Sequence, residues 1–161
     1  MRLSGGSSRV RRIGYACGVA AVVLAVVPLA AIAAAGGTVF GGTTSQGLPV
    51  VIEMSKNGRT VTKVTVAIRL TCTSGGIVTL PDGYQKMKVK KNRKFGAAFG
   101  PSTQRNDDGT TTDYEGSISG GFNKARSSAS GTWSLKWTDH DAAGAVTDTC
   151  DSGSVSFKAK Q

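Results

Sequence analysis

The chain is expected to fold as an all-β domain. The predicted architecture is an antiparallel β-sandwich, jelly-roll or Ig-like, of eight or nine short strands behind an N-terminal signal peptide. Three observations predict it. Thr60 to Cys72 alternates, with Val64, Val66, Ile68, Leu70 and Cys72 on one face and Thr65, Ala67, Arg69 and Thr71 on the other. Successive side chains of a strand point to opposite faces, so this run is a half-buried strand. Shorter alternating runs recur along the chain, separated by Gly, Asn and Asp turns, which is the pattern of a sandwich or a closed barrel. After residue 35 no stretch keeps a helical period. The sandwich is expected over the barrel, because a bridge between Cys72 and Cys150 would pin an early strand to a late one.

Residues 1–35 read as an export signal. Arg2, Arg9, Arg11 and Arg12 form a basic head, Ile13 to Val27 is apolar, Pro28 interrupts, and Ala33-Ala34-Ala35 gives a small-residue cleavage pattern. That order of segments marks a secretory signal peptide. The alternative is an uncleaved anchor, since Ile13 to Ala35 reaches the ~20 apolar residues that span a bilayer. Either way the following domain is expected outside the cytoplasm, secreted or associated with the cell surface.

Residues 36–47 are rich in Gly, Thr and Ser and read as a flexible lead-in. The β-domain is expected over 48–161. Leu48 to Met54 is a first strand with Val50, Ile52 and Met54 aligned, and Asn57-Gly58 is a hairpin turn into the long strand. Thr73 to Gly76 turns the chain into a short Ile77 to Leu80 strand, and Pro81-Asp82-Gly83 turns it again. Gln85 to Lys90 alternates, and a strand with Phe95, Ala97 and Phe99 aligned follows Lys91-Asn92-Arg93. Gly100 to Thr110 reads as a loop. Thr111 to Ser119 is a strand that Gly120-Gly121 breaks, with a weaker strand over Phe122 to Arg126. Gly131 to Thr138 puts Trp133, Leu135 and Trp137 on one face. Val146 to Cys150 and Ser154 to Ala159 complete the series.

Four of the 20 basic residues and none of the ten acidic ones precede residue 36, so the exported part carries 16 against 10, or +6. That charge favours anionic surfaces without demanding a polyanion ligand. Cys72 and Cys150 are the cysteines left after residue 35, and two cysteines in an oxidising compartment are expected to pair. Their bridge would close a loop of roughly 80 residues and stabilise by about 4 kcal/mol in the chain-entropy model.

Several runs, taken in order, carry a resemblance. They are G-G-T-T-S-Q-G-L-P-V (Gly41 to Val50), K-N-R-K-F-G (Lys91 to Gly96), G-S-I-S-G-G-F (Gly116 to Phe122), A-S-G-T-W (Ala129 to Trp133) and C-D-S-G-S-V-S-F (Cys150 to Phe157). Together the chain resembles a group of uncharacterised small secreted all-β proteins of actinobacteria. The resemblance implies a β-sandwich and export, and it implies no activity.

No enzyme, metal or cofactor is expected. His140, in Asp139-His140-Asp141 near Asp148 and Asp151, lacks the spacing of a calcium loop or a zinc site, and its carboxylates suit turn capping. Ser152, in Cys150-Asp151-Ser152-Gly153-Ser154, has no base and orienting group at usable spacing. Asp113 and Glu115 are read as solvated. Two binding readings remain. Lys86, Lys88, Lys90, Lys91, Arg93 and Lys94 could meet an anionic cell-wall polymer, with Lys86, Lys88 and Lys90 on one face about 6.6 Å apart; the competing reading is a solubilising edge strand. Trp133 and Trp137 could stack on a glycan, or be core, which a Trp-Leu-Trp row in a sandwich favours. The expected role is therefore a non-enzymatic structural or binding domain at or outside the cell envelope. Its partner is open, an anionic wall polymer or a glycan being the candidates.

Overall fold

The computed structural model describes residues 37–161. The expected signal peptide lies outside them. Among the described residues no helix is long and apolar enough to cross a membrane. The described residues form nine strands: β1 (Thr38–Thr44), β2 (Pro49–Met54), β3 (Thr60–Cys72), β4 (Ile77–Lys88), β5 (Lys94–Arg105), β6 (Thr111–Phe122), β7 (Ser128–His140), β8 (Val146–Asp151) and β9 (Val155–Lys160). All their pairings are antiparallel.

The hydrogen-bond ladder runs β4-β3-β2-β1-β9-β7-β6-β5, and β8 pairs with both β3 and β7. Strands β1, β2, β3, β8, β7 and β9 therefore close into a six-stranded barrel. This corrects the expectation of a jelly-roll or Ig-like sandwich. The ladder does not divide into two sheets, because the pairs Thr71–Asp151 and Cys72–Cys150 let β8 bridge β3 to β7. The cysteines are directly opposed in that short seam and are disulfide-bonded, as the sequence predicts. Strand β4 continues the sheet beyond β3, and β6 and β5 continue it beyond β7.

The alternation of β3 becomes the barrel lining. Val64, Val66, Ile68 and Leu70 are fully buried and meet Phe40, Ile52, Trp133, Val155 and Phe157 from the other strands. The 36–47 stretch differs from its expected role as a lead-in. Thr38–Thr44 is strand β1, paired with β2 and β9, and Phe40 is fully buried. Its glycines suit close packing: a Cβ on Gly42 would collide with the backbone carbonyl of Lys158.

Three other expected breaks are strand interior. β4 runs through Pro81-Asp82-Gly83, where Pro81 opposes Ala67. An edge strand has an unpaired side, so the missing N–H of proline is tolerated there. β5 continues past Gly100-Pro101 to Arg105 after a register shift between Phe99 and Ser102. β6 runs through Gly120-Gly121, and Asn123 to Ser127 is a turn rather than a strand. A Cβ on Gly120 would meet the Phe95 ring at 2.6 Å, so the glycine leaves that ring its place.

The hairpin turns share one design. In the β2–β3, β4–β5 and β6–β7 turns, an N–H three residues on donates to the carbonyl of Ser55, Lys90 or Asn123. The donating residue in each is left-handed: Gly58 at φ 64°, Arg93 at 66° and Arg126 at 55°. Asn57 is not among the positive-φ residues, so the Asn-Gly turn is the longer, bulged form rather than a two-residue one. At two of these turns arginine stands where glycine would be less strained.

Candidate functional site

Two features of the described residues stand out: one end of the barrel, and a cleft in its side.

The β2–β3, β4–β5 and β6–β7 turns converge at one end. Val89 N–H donates to Arg59 O, and Phe122 N–H donates to Arg93 O at 3.2 Å. The two left-handed arginines reinforce this. Arg126 Nη1 donates to Gly58 O at 3.0 Å, and Arg93 Nε donates to Phe122 O at 3.3 Å. Gly58 is buried, and a Cβ there would occupy the space of the Arg126 guanidinium. The turns and the strand residues that directly flank them carry Lys56, Arg59, Lys88, Lys90, Lys91, Arg93, Lys94, Lys124 and Arg126, and no Asp or Glu. β1 starts at this same end, since Thr38 pairs with Met54.

The lysine row is placed as follows. Lys86, Lys88 and Lys90 are all exposed, and Lys88 and Lys90 lie opposite the buried Met87 and Val89. Lys86 is left-handed at φ 57° and marks where the inward row of β4 changes phase, from Tyr84 to Met87. Lys90, Lys91 and Lys94 are exposed in or beside the turn, and Arg93 is half-buried by its tie. Beside this turn a depression of about 480 Å³ is lined by Lys90, Lys94 and Phe95, by glycines of β5, β6 and β7, and by Ser119 and Thr132, whose hydroxyls bond each other.

The opposite end is acidic. Asp107 and Asp108 lie in the β5–β6 turn and Asp141 in the β7–β8 turn. Asp148 accepts hydrogen bonds from Thr73 Oγ1 at 2.6 Å, Ser74 Oγ at 2.7 Å and Ser74 N–H at 3.0 Å. These bonds, the Thr73 hydroxyl foremost, hold its carboxyl down at about 2. They also tie β8 to the β3–β4 turn beside the disulfide. His140 Nε2 lies 3.1 Å from Asp113 Oδ2. Asp113 is held below the ordinary carboxylate value, first by the Thr103 hydroxyl and less by His140. Asp139 accepts from Thr112, and Asp141 accepts two N–H groups of its own turn. The Asp-His-Asp carboxylates thus serve local structure. Asp148, Cys72 and Cys150 are close together, but the sulfurs are bonded to each other and are not thiolate ligands. Ser152 Oγ accepts from Leu135 N–H and donates to Gly153 O, and shares no partner with His140. Glu115 is exposed and pairs with Lys136 at 3.7 Å.

The cleft lies where the β4 flap leans toward β5. Tyr84 packs on Phe99 at 5.5 Å and edge-on against Trp133 at 5.0 Å between ring centroids. Above them, β4 supplies Leu80 and Asp82, and β5 supplies Phe99 and Ser102. Tyr114 of β6 and Trp137 of β7 close the far wall, with their rings 6.4 Å apart. The volume is about 490 Å³, within the range of small-molecule sites. Trp133 is 1% exposed while Trp137 is half-buried. The two-tryptophan platform therefore does not form, and Trp137 alone reaches an open surface.

Three buried polar atoms here have no hydrogen-bond partner: Asp82 Oδ2, Tyr84 OH and Trp133 Nε1. Asp82 Oδ1 accepts the Gly83 N–H at 2.8 Å. Burial pushes the Asp82 carboxyl above its ordinary value, against the lowering pull of Gly83 N–H and of the nearby Trp133 N–H. The indole lies close enough to act on that charge without meeting hydrogen-bond geometry. Tyr84 is pushed up to about 12, by burial first and by the Asp82 charge second. Sequence reading missed this site. Pro81-Asp82-Gly83 carries the composition of a turn, and only the pairing of β4 with β3 places Asp82 in a strand whose inward row also holds Val78, Leu80 and Tyr84.

The arginine ties have a measurable consequence. A left-handed backbone costs an L-residue roughly 1 kcal/mol, whereas a hydrogen bond from a charged group contributes about 1.5–3 kcal/mol. Arg126→Gly relieves the first and loses the second. The expected result is a net loss of about 1 kcal/mol in urea unfolding; an increase in stability would show that backbone strain outweighs the tie.

No protein-family model, curated protein or solved structure matches the chain.

Proposed function

We propose that the chain is an exported, non-enzymatic binding domain that docks on an anionic polymer of the cell envelope through its basic end. One observation carries this reading: three hairpin turns, with the strand residues that directly flank them, bring nine cationic residues and no acidic one to a single end. Such an end attracts a polyanion, while the acidic far end is repelled, so the domain would be steered as well as held. The depression beside Lys90 and Lys94 sets two cationic side chains beside a glycine-lined floor, which leaves room for a phosphate or a similar group. Export is supported by the basic, apolar and small-residue order of residues 1–35 and by the disulfide, which is compatible with an oxidising compartment. An N-terminal segment kept as an anchor would hold the basic end toward the membrane, because β1 starts there. In this reading the chain is one of the small exported all-β proteins it resembles.

The test uses long-chain inorganic polyphosphate as the probe. Binding at low salt is expected, with log affinity falling linearly as log salt rises. The variant Lys90, Lys91 and Lys124→Glu is expected to lose at least about tenfold, or ~1.4 kcal/mol. The charge-matched variant Arg69, Arg105 and Lys136→Glu should lose much less. Equal losses, or no binding at low salt, would remove the reading.

A further inference from the structure

We propose that the cleft between β4 and β5–β7 is a second binding site, for a small organic cation. Its ligand is an ammonium head bearing methyl or methylene groups, set against Asp82 and the rings of Phe99, Tyr114 and Trp137. This does not rest on the polyanion reading: the surface is different, and the ligand has the opposite charge.

The lining is aromatic and apolar with a single charge, and that charge is negative. No Lys, Arg or His is among the lining residues, so nothing in the wall neutralises Asp82. Asp82 is half-buried, and its Oδ2 is buried with no hydrogen-bond partner; a carboxylate oxygen left so without a cation is costly and calls for an explanation. An incoming cation supplies one, because it repays the desolvation that Asp82 already bears. Aromatic faces attract the same kind of ligand through their negative π-clouds, and three rings border the cleft. A neutral sugar fits less well. Its many hydroxyls would need partners, and besides Asp82 and Tyr114 the lining offers only Ser102, Gln104 and the single indole N–H of Trp137.

The geometry separates binding from stability. Asp82 has the raised carboxyl of a group whose charged form is disfavoured by folding. A raised folded pKa means the native state binds the proton more tightly, so this group lowers stability as pH rises through that window. Removing the charge should therefore not weaken the fold.

The test titrates the full chain with choline, with n-butylammonium and with 3,3-dimethylbutan-1-ol, the neutral isostere of choline. Calorimetry and tryptophan fluorescence are the readouts, since Trp137 borders the cleft. At least one cation is expected to bind with Kd at or below about 1 mM, and the isostere at least about tenfold more weakly. Tighter choline binding identifies a quaternary head, and tighter butylammonium binding a primary amine. Asp82→Asn is expected to weaken cation binding at least about tenfold while melting at the same temperature or higher. Trp137→Leu should weaken it with the fold intact. Equal binding of the isostere, unchanged binding by Asp82→Asn, or no cation binding at about 10 mM would each overturn the proposal.

Discussion

Replacing Cys72 and Cys150 together by alanine is expected to lower unfolding stability by about 4 kcal/mol. At a typical urea m-value near 2 kcal/mol/M, the midpoint should fall by about 2 M. The chain-entropy cost of freeing 78 residues supplies most of this. The barrel seam makes the loss more than an effect on the unfolded chain. β8 pairs with β3 at only two positions, Thr71–Asp151 and Cys72–Cys150. Every other seam of the barrel has four or more pairs. The disulfide thus replaces ladder bonds that β8 cannot make. Asp148, through its hydrogen bonds from Thr73 and Ser74, holds the same corner. The measurement is urea unfolding of the double variant against the oxidised wild type. A midpoint shift under about 0.5 M would mean that the ladder and the Asp148 bonds close the barrel without the bridge.

What the sequence made legible is what period and composition encode locally. The buried row of β3, the cysteine pairing and the all-β class follow from alternation and from counting. So does Trp133 as core, because Leu135 shares its face. The departures from expectation have a common cause: glycine and proline carry the local composition of a turn wherever they stand. Gly41-Gly42 in β1, Pro81-Asp82-Gly83 in β4, Gly100-Pro101 in β5 and Gly120-Gly121 in β6 all lie within strands. There the glycine often makes room for something distant in sequence, such as the Lys158 carbonyl or the Phe95 ring. A local reading cannot see such a neighbour. The same limit hides the cleft and the full extent of the basic end. The lysine run was visible as charge, but its union with Lys56, Arg59, Lys124 and Arg126 needs the three turns to share an end. Asp82 carries no signal in the sequence, because its meaning lies in a cleft lining that holds no Lys, Arg or His.

The second large effect is expected at Phe40, in the stretch with the composition of a tether. Phe40→Ala should cost about 3–5 kcal/mol, the range for removing a buried aromatic. The ring is fully buried, packs on Phe122 at 5.2 Å between centroids, and sits where β1 pairs with Ile52 of β2. Its loss would hollow the core beside the β1–β9 seam, which has four pairs. A residue in a true tether would change stability by no more than about 0.5 kcal/mol. Thr43→Ala, exposed on the same strand, should stay within that limit and serves as the internal control. The two variants together separate strand from tether: a large loss at Phe40 beside silence at Thr43 requires an alternating, half-buried β1. If both were silent, β1 would be dispensable and the barrel would have to close without it. That outcome would also detach the basic end from the entry of the chain, since β1 is what brings Thr38 beside Met54.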